Sequence, residues 1–348
     1  MERTVLHEHL SAAGAVHRDE GSIALPARFG SAAAEYAALR TEATVIDLGF
    51  RTVVRATGAD RVEYLQGMLT GDVAVLDRGE GCAALLLTIQ ARVTADLRVA
   101  VLDDEIWLDV DVRARATLLE ALEALIIADD VELVPAEGQT LIGIEGPRAA
   151  SLLPVLEELA PFASRVVEVA GVPVWVLHTS ILGAQPGGAV VVPARHAATV
   201  WDVLVDGGGV PCGMDALESR RIELGVPRIG VDMGATTLAL ELPLAEAISS
   251  TKGCYLGQEV VARASARGHI NRRLCGLVFE GSLPPVGAAL GRDGKKVGQV
   301  SSVVQSLGLG RPVGIGLVRR ECWEPGTELV AGDGDAETAA WVAEIPLA

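Results

Sequence analysis

The densest chemistry in this chain lies in eight residues, Lys252-Gly-Cys-Tyr-Leu-Gly-Gln-Glu259. They bring together an ammonium, a thiol, a phenol, an amide, a carboxylate and two glycines. Glycine lets backbone approach a ligand closely or take positive φ. A thiol reacts or ligates as thiolate, and a cation two positions away favours that form. This reading makes Cys254 a partly exposed, activated thiol with Lys252 as its nearest cation. The same residues are equally consistent with a turn around a buried, inert cysteine, because free cysteine is among the most buried residue types.

Two other segments carry candidate chemistry. In Gln90–Arg98, strand alternation puts Arg92, Thr94, Asp96 and Arg98 on one face. Asp96 there can accept a proton or anchor a ligand, or be tied up in a salt bridge. The window Val260–Phe279 holds Arg263, Arg267, His269, Arg272 and Arg273 and no acid. Arginine forks match carboxylate or phosphate, so the window can form an anion-binding wall, or simply face water. Just upstream, Arg220 and Arg221 project about 100° apart on a helix, so at most one faces a given pocket. Glu218 and Arg221, three apart, can pair on the surface for a few tenths of a kcal/mol.

The elements that position these groups follow from periodicity. Val53–Ala56, Ala83–Ile89, Leu97–Leu102 and Ile106–Val110 read as strands, the last two joined in a hairpin at Asp103-Asp104. A helix is expected after Gly58-Ala-Asp60. A clearer one runs from Arg113 to Ile127, with Leu118, Leu119, Leu122, Leu125 and Ile126 at helical spacing. The plan then repeats: strand 141–144, a helix opened by Gly146-Pro147-Arg148, strands near 166–169, 174–178 and 189–192, and a helix over 194–205. Asp215 is placed as the N-cap of a helix ending at Leu224. From Leu274 onward, short β-type runs separated by Gly and Pro indicate a small barrel. The expected fold is therefore α+β: duplicated, ferredoxin-like α+β units with antiparallel sheets, followed by a C-terminal β-barrel. The expected domains are 1–140, 141–270 and 271–348.

Composition narrows the function classes. The chain has 348 residues, a net charge of −17, 50% hydrophobic and 3% aromatic residues. Such acidity argues against nucleic-acid binding, and so few aromatics argue against base-stacking platforms. Five cysteines without CxxC spacing fit neither a disulfide framework nor a structural zinc site. The N-terminus has acids and histidines where a signal peptide needs a basic start, and no apolar run approaches the ~18 residues of a membrane span. A cytoplasmic protein is expected. Dinucleotide, P-loop, zincin and nucleophile-elbow motifs are absent from the sequence.

The eight-residue segment resembles the signature of the YgfZ-type folate-binding proteins, relatives of the glycine-cleavage T-protein (aminomethyltransferase) that assist iron–sulfur proteins. Weaker matches follow in order: Gly58–Gly67 with Thr70 and Asp72, Arg92–Asp96, Gly146-Pro147, Arg221–Pro227, Gly268-His269, Arg272–Leu274 and Gly298–Ser302. The resemblance implies three domains around a central pocket for tetrahydrofolate or a one-carbon derivative, in a monomer that works with iron–sulfur client or assembly proteins. It implies catalytic roles for Cys254, Lys252 and Asp96. It implies folate contacts from Asp96, Gln185, Arg221, Tyr255, Gly257, Gln258, Glu259 and Arg272, with Arg221 and the basic window serving the glutamate tail. Two departures bear on activity. The T-protein has adjacent aspartates where this chain has Ala95-Asp96. It has a Gly-Glu-Asp-Gly stretch where this chain has Gly183-Ala-Gln185-Pro-Gly187. Both favour a folate-binding accessory factor for iron–sulfur assembly or repair, with indirect effects on enzymes such as tRNA-modifying ones. The alternative is a folate-dependent aminomethyl or one-carbon transferase.

Overall fold

A computed structural model describes residues 2–268, 270–332 and 337–347. The chain divides into two compact units. The first comprises Met1–Leu86, Thr94–Leu217 and Glu246–Leu256; the second comprises Leu87–Val93, Glu218–Ala245 and Gly257–Ala348.

The first unit begins with a three-stranded sheet of β1 (Glu2–Arg3), β2 (Val16–Glu20) and β3 (Ile23–Arg28), with α1 (His7–Ala12) between β1 and β2. Helix α2 (Ala32–Thr41) and strand β4 (Thr44–Asp47) follow. Then come β5 (Arg51–Thr57), α3 (Arg61–Met68), β6 (Gly81–Leu87), β7 (Val93–Val101), β8 (Ile106–Asp111), α4 (Val112–Glu123) and β9 (Glu132–Pro135). The same succession recurs as β10 (Gln139–Glu145), α5 (Ala149–Leu152), β11 (Ser164–Val169), β12 (Val172–Leu177), β13 (Gly187–Pro193), α6 (Ala197–Asp206) and β14 (Val210–Pro211). The two sheets have the orders β6-β7-β8-β5-β9 and β11-β12-β13-β10-β4-β14. Leaving out β6 and β11 at the edges, each copy follows the βαββαβ plan of a ferredoxin-like unit. β4 is inserted between β10 and β14 in the second copy.

Alternation explains the first sheet. Along β7, Val93, Ala95, Leu97 and Val99 are buried while Thr94, Asp96 and Arg98 point the other way and are half-buried. Helix α4 packs on β5 and β8 through Ala114, Leu118 and Leu122. Asp111 caps it by accepting from the Arg113 amide at 2.9 Å. The helix ends at Glu123, four residues before the position expected from periodicity. Leu125 is exposed and Ile127 is 91% exposed, so no further core exists for a fourth turn to cover.

Helix α7 (Met214–Leu224) starts one residue early for the expected cap. Asp215 lies inside its first turn and accepts from Arg18 at 2.7 Å and Arg28 at 3.3 Å. The second unit contains α8 (Gln258–Arg267) and a closed barrel of β15 (Arg272–Phe279), β16 (Ala289–Arg292), β17 (Lys295–Gln305), β18 (Pro312–Arg319), β19 (Glu328–Ala331) and β20 (Thr338–Ala343). The barrel order is β15-β18-β17-β16-β19-β20, with a bulge in β17 between Val300 and Ser302. Leu277, Leu290, Val300, Val318 and Val342 fill its interior. Among the described residues, no helix is long and apolar enough to cross a membrane.

Candidate functional site

The polar face of the first unit's β5-β7-β8 sheet holds three carboxylates and two arginines. The register pairs Arg98 with Asp109 and Arg51 with Asp111, which puts all four on the face shared with Asp96. Arg51 Nε donates to Asp109 Oδ1 at 2.7 Å, and Arg98 Nη1 donates to Asp109 Oδ2 at 3.2 Å. Asp111 is held by α4 and by the Arg113 guanidinium at 2.6 Å. That leaves Asp96. Its Oδ1 is buried with no hydrogen-bond partner among the described residues. Burial pushes this carboxyl above the usual carboxylate range. Arg51 and Arg98 oppose the shift, and Asp111 adds to it. An unpaired buried carboxylate oxygen is costly, and such groups concentrate where a ligand or proton completes the site.

A second chain of bonds ties this face to the loop before β13. Arg98 Nη2 donates to the Ser180 carbonyl at 2.9 Å, and the Ser180 hydroxyl donates to Glu145 Oε2 at 2.5 Å. The Ile181 amide donates to Glu145 Oε1 at 2.9 Å. Gln185 sits half-buried in that same loop, so Arg98 couples its backbone to the strand that carries Asp96. Burial pushes the Glu145 carboxyl up to about 8, although its two donors and Arg98 pull the other way. The sign of the linkage follows. The folded state holds a proton that the unfolded chain releases near its ordinary 4.5, so stability falls as pH rises from there to about 8. Urea unfolding across that window will show this decline, and Glu145→Gln will flatten it.

The signature loop presents Cys254 to solvent, which removes the buried-cysteine alternative. Lys252, however, does not serve this thiol. Its Nζ donates to the carbonyls of Gln66, Leu69 and Gly71, each at 2.7 Å. Gln66 lies in the last turn of α3, where helical carbonyls lack intrahelical partners, and Leu69 and Gly71 lie just past its end. Three bonds need three N–H groups, so Lys252 is held as the ammonium even though burial pushes it down to about 8. Asp72 and Cys82 oppose that shift, and the Cys82 thiol is itself pushed up to about 11, chiefly by burial. The ammonium also lies 5.5 Å from the centre of the buried Tyr255 ring. Lys252→Met will strand three carbonyls and cost about 3 kcal/mol or more in denaturant unfolding.

The rest of the signature and the basic window are local to the second unit. Gly257 has φ of 84° and precedes α8; a Cβ there would lie 2.5 Å from the Thr88 carbonyl. Gln258 opens α8, and the exposed Glu259 pairs with Arg263 at 2.5 Å. Arg272 donates to Glu241 at 2.7 Å and to the Thr236 carbonyl at 2.5 Å. Arg273 stacks on Trp323 at 4.8 Å. The acids that answer Arg263 and Arg272 come from outside the window, and Arg273 is held by the Trp323 carbonyl and ring. His269 and the Arg267 side chain lie outside the described residues.

Arg221 differs most from expectation. It is neither a surface partner of Glu218 nor free for a ligand's carboxylate. It is 3% exposed and donates to Glu218 at 2.8 Å, to Asp232 at 2.8 Å, to the Val226 carbonyl at 3.2 Å and to Ser302 at 2.8 Å. Its guanidinium is a structural hub.

Sequence reasoning missed Arg51, Asp109, Glu145 and Ser180. The available signal was Asp109 and Asp111 at alternate positions of an otherwise apolar strand, a pattern that puts two acids on one face. For a reduced folate the residues fit at one end only. A pterin's N–H edge requires an acceptor, which Asp96 Oδ1 provides, whereas Arg221 is not available to a glutamate tail.

The GCVT N-terminal domain matches residues 6–252, and the glycine cleavage T-protein C-terminal barrel domain matches 272–347. An aminomethyltransferase of Streptomyces coelicolor is 28% identical, covering 96% of this chain and 93% of its own. A putative chloroplastic transferase of Arabidopsis thaliana is 28% identical, covering 87% of this chain and 70% of its own. The crystal structure of aminomethyltransferase T of the glycine cleavage system from Bartonella henselae superposes with a TM-score of 0.90 at 21% identity, covering 100% of this chain and 98% of that one. With both domains matched in order, the chain belongs to the glycine-cleavage T-protein (GCVT) family of aminomethyltransferase-like proteins.

Proposed function

We propose that this chain is a tetrahydrofolate-binding protein of the YgfZ type, an accessory factor in iron–sulfur cluster assembly or repair. Its effects on iron–sulfur enzymes, tRNA-modifying ones included, are indirect, and it acts as a cytoplasmic monomer. Asp96 receives the pterin edge, and Gln185 contributes an uncharged acceptor. Reduced folate supplies one-carbon chemistry when bound. The observation that carries the accessory reading is the setting of Cys254. It is exposed, while Lys252 and Tyr255 on either side of it are buried. A thiol held outward on so fixed a pedestal suits exchange with a sulfur of another protein. One cysteine does not complete a cluster, since such clusters take about four thiolates, so the client chain provides the remaining ligands.

The transferase reading draws on the names of the relatives and on Asp96 as a proton acceptor. The two readings separate on Cys254→Ala and Asp96→Asn, each assayed for folate-dependent turnover and for reactivation of an iron–sulfur client. The accessory reading expects Cys254→Ala to abolish client reactivation. Turnover that survives Cys254→Ala and is lost in Asp96→Asn would replace it with the transferase.

A further inference from the structure

The second unit contains a cleft of about 560 Å³ between the loop 230–237 and the barrel strands. Three cations line it: Arg272, Lys296 and Arg319. Among the described residues its one acid is Asp232, which is already neutralised by Arg221 at 2.8 Å and bonded to Ser302 at 2.6 Å. Arg272 is partly answered by Glu241. Lys296 and Arg319 have no acidic side chain as partner among the described residues. In a chain with 46 acidic and 29 basic residues, two unpaired cations sharing one concavity mark a place where the field is locally reversed.

The shape and the walls select among anions. The volume far exceeds that of a single inorganic anion, so the ligand has an organic body or several charged groups. Met233, Val286 and Leu317 supply aliphatic wall. Among the described residues no aromatic ring lines the cleft, so these residues offer no stacking surface for a nucleobase. We propose that this cleft is a binding site for an aliphatic oligocarboxylate, with Lys296 and Arg319 as the residues that hold its carboxylates. The assignment goes beyond the folate reading and does not depend on it.

The test is calorimetry on the full chain with γ-linked triglutamate as probe, at low and moderate salt, alongside inorganic phosphate. Lys296→Ala and Arg319→Ala each lower triglutamate affinity about tenfold or more, because each removes a charge-assisted contact. Added salt weakens the wild-type interaction. Both side chains are exposed, so thermal melting stays at the wild-type temperature, and monoglutamyl tetrahydrofolate binds the variants as it binds wild type. The proposal is overturned if triglutamate does not bind wild type, if neither substitution changes its affinity, or if phosphate binds as tightly. The monoglutamyl titration reads the Asp96 site separately, so failure of either site is seen without the other.

Discussion

Asp96→Asn will weaken tetrahydrofolate binding by about 10- to 100-fold while leaving the melting temperature unchanged or higher. The two halves of this result have one cause. Asp96 Oδ1 is buried with no hydrogen-bond partner among the described residues, so in the free protein it carries a desolvation cost that Arg51 and Arg98 offset only in part. The neighbouring arginines are already engaged by Asp109, so they do not lose their main partner when Asp96 loses its charge. A ligand N–H is what the carboxylate lacks, and a hydrogen bond to a charged acceptor is worth about 1.5–3 kcal/mol. A residue with a purely structural role would lose stability and binding together. Here the two move apart, which titration calorimetry and a thermal melt on the same sample will show.

Arg221→Met will destabilise the second unit by about 3–5 kcal/mol, the range expected when one member of a buried ion network is removed. Glu218 and Asp232 would each lose a guanidinium, and Ser302 would lose its donor. Burial by itself would raise the Glu218 carboxyl. Arg221 and Arg228 outweigh it and hold the group down at about 2. The stabilisation from Glu218 is therefore present above the ordinary 4.5 and is lost as pH falls toward 2. Without Arg221 that loss begins at higher pH, so the acid-unfolding midpoint rises along with the fall in urea stability. Arg221→Lys will rescue little, because a point charge cannot reproduce a fork that reaches two carboxylates, a carbonyl and a hydroxyl.

These two residues also show what the sequence can and cannot disclose. Alternation placed Asp96 and Arg98 on one strand face, and β7 keeps that pattern from Val93 to Val101. The repeated strand–helix order was visible because each copy opens with an apolar strand followed by glycine and a helix. β16 was not, since Ala-Leu-Gly-Arg has too few apolar residues to read as a strand and exists through pairing with β17 and β19. Local spacing suggested that Lys252 serves Cys254 and that Arg221 pairs with Glu218 on the surface, while the family resemblance gave Arg221 to a ligand. Lys252 instead turns to carbonyls about 180 residues away, and Arg221, besides its neighbours Glu218, Val226 and Asp232, reaches Ser302, 81 residues away. Sequence proximity sets backbone neighbours, whereas a long flexible cation goes where unsatisfied buried oxygens lie.

The most direct test of the account is a crystal structure of the full chain grown with tetrahydrofolate. It should show a pterin nitrogen within about 3.2 Å of Asp96 Oδ1. Density for the folate elsewhere, with that oxygen still unbonded, would contradict the account.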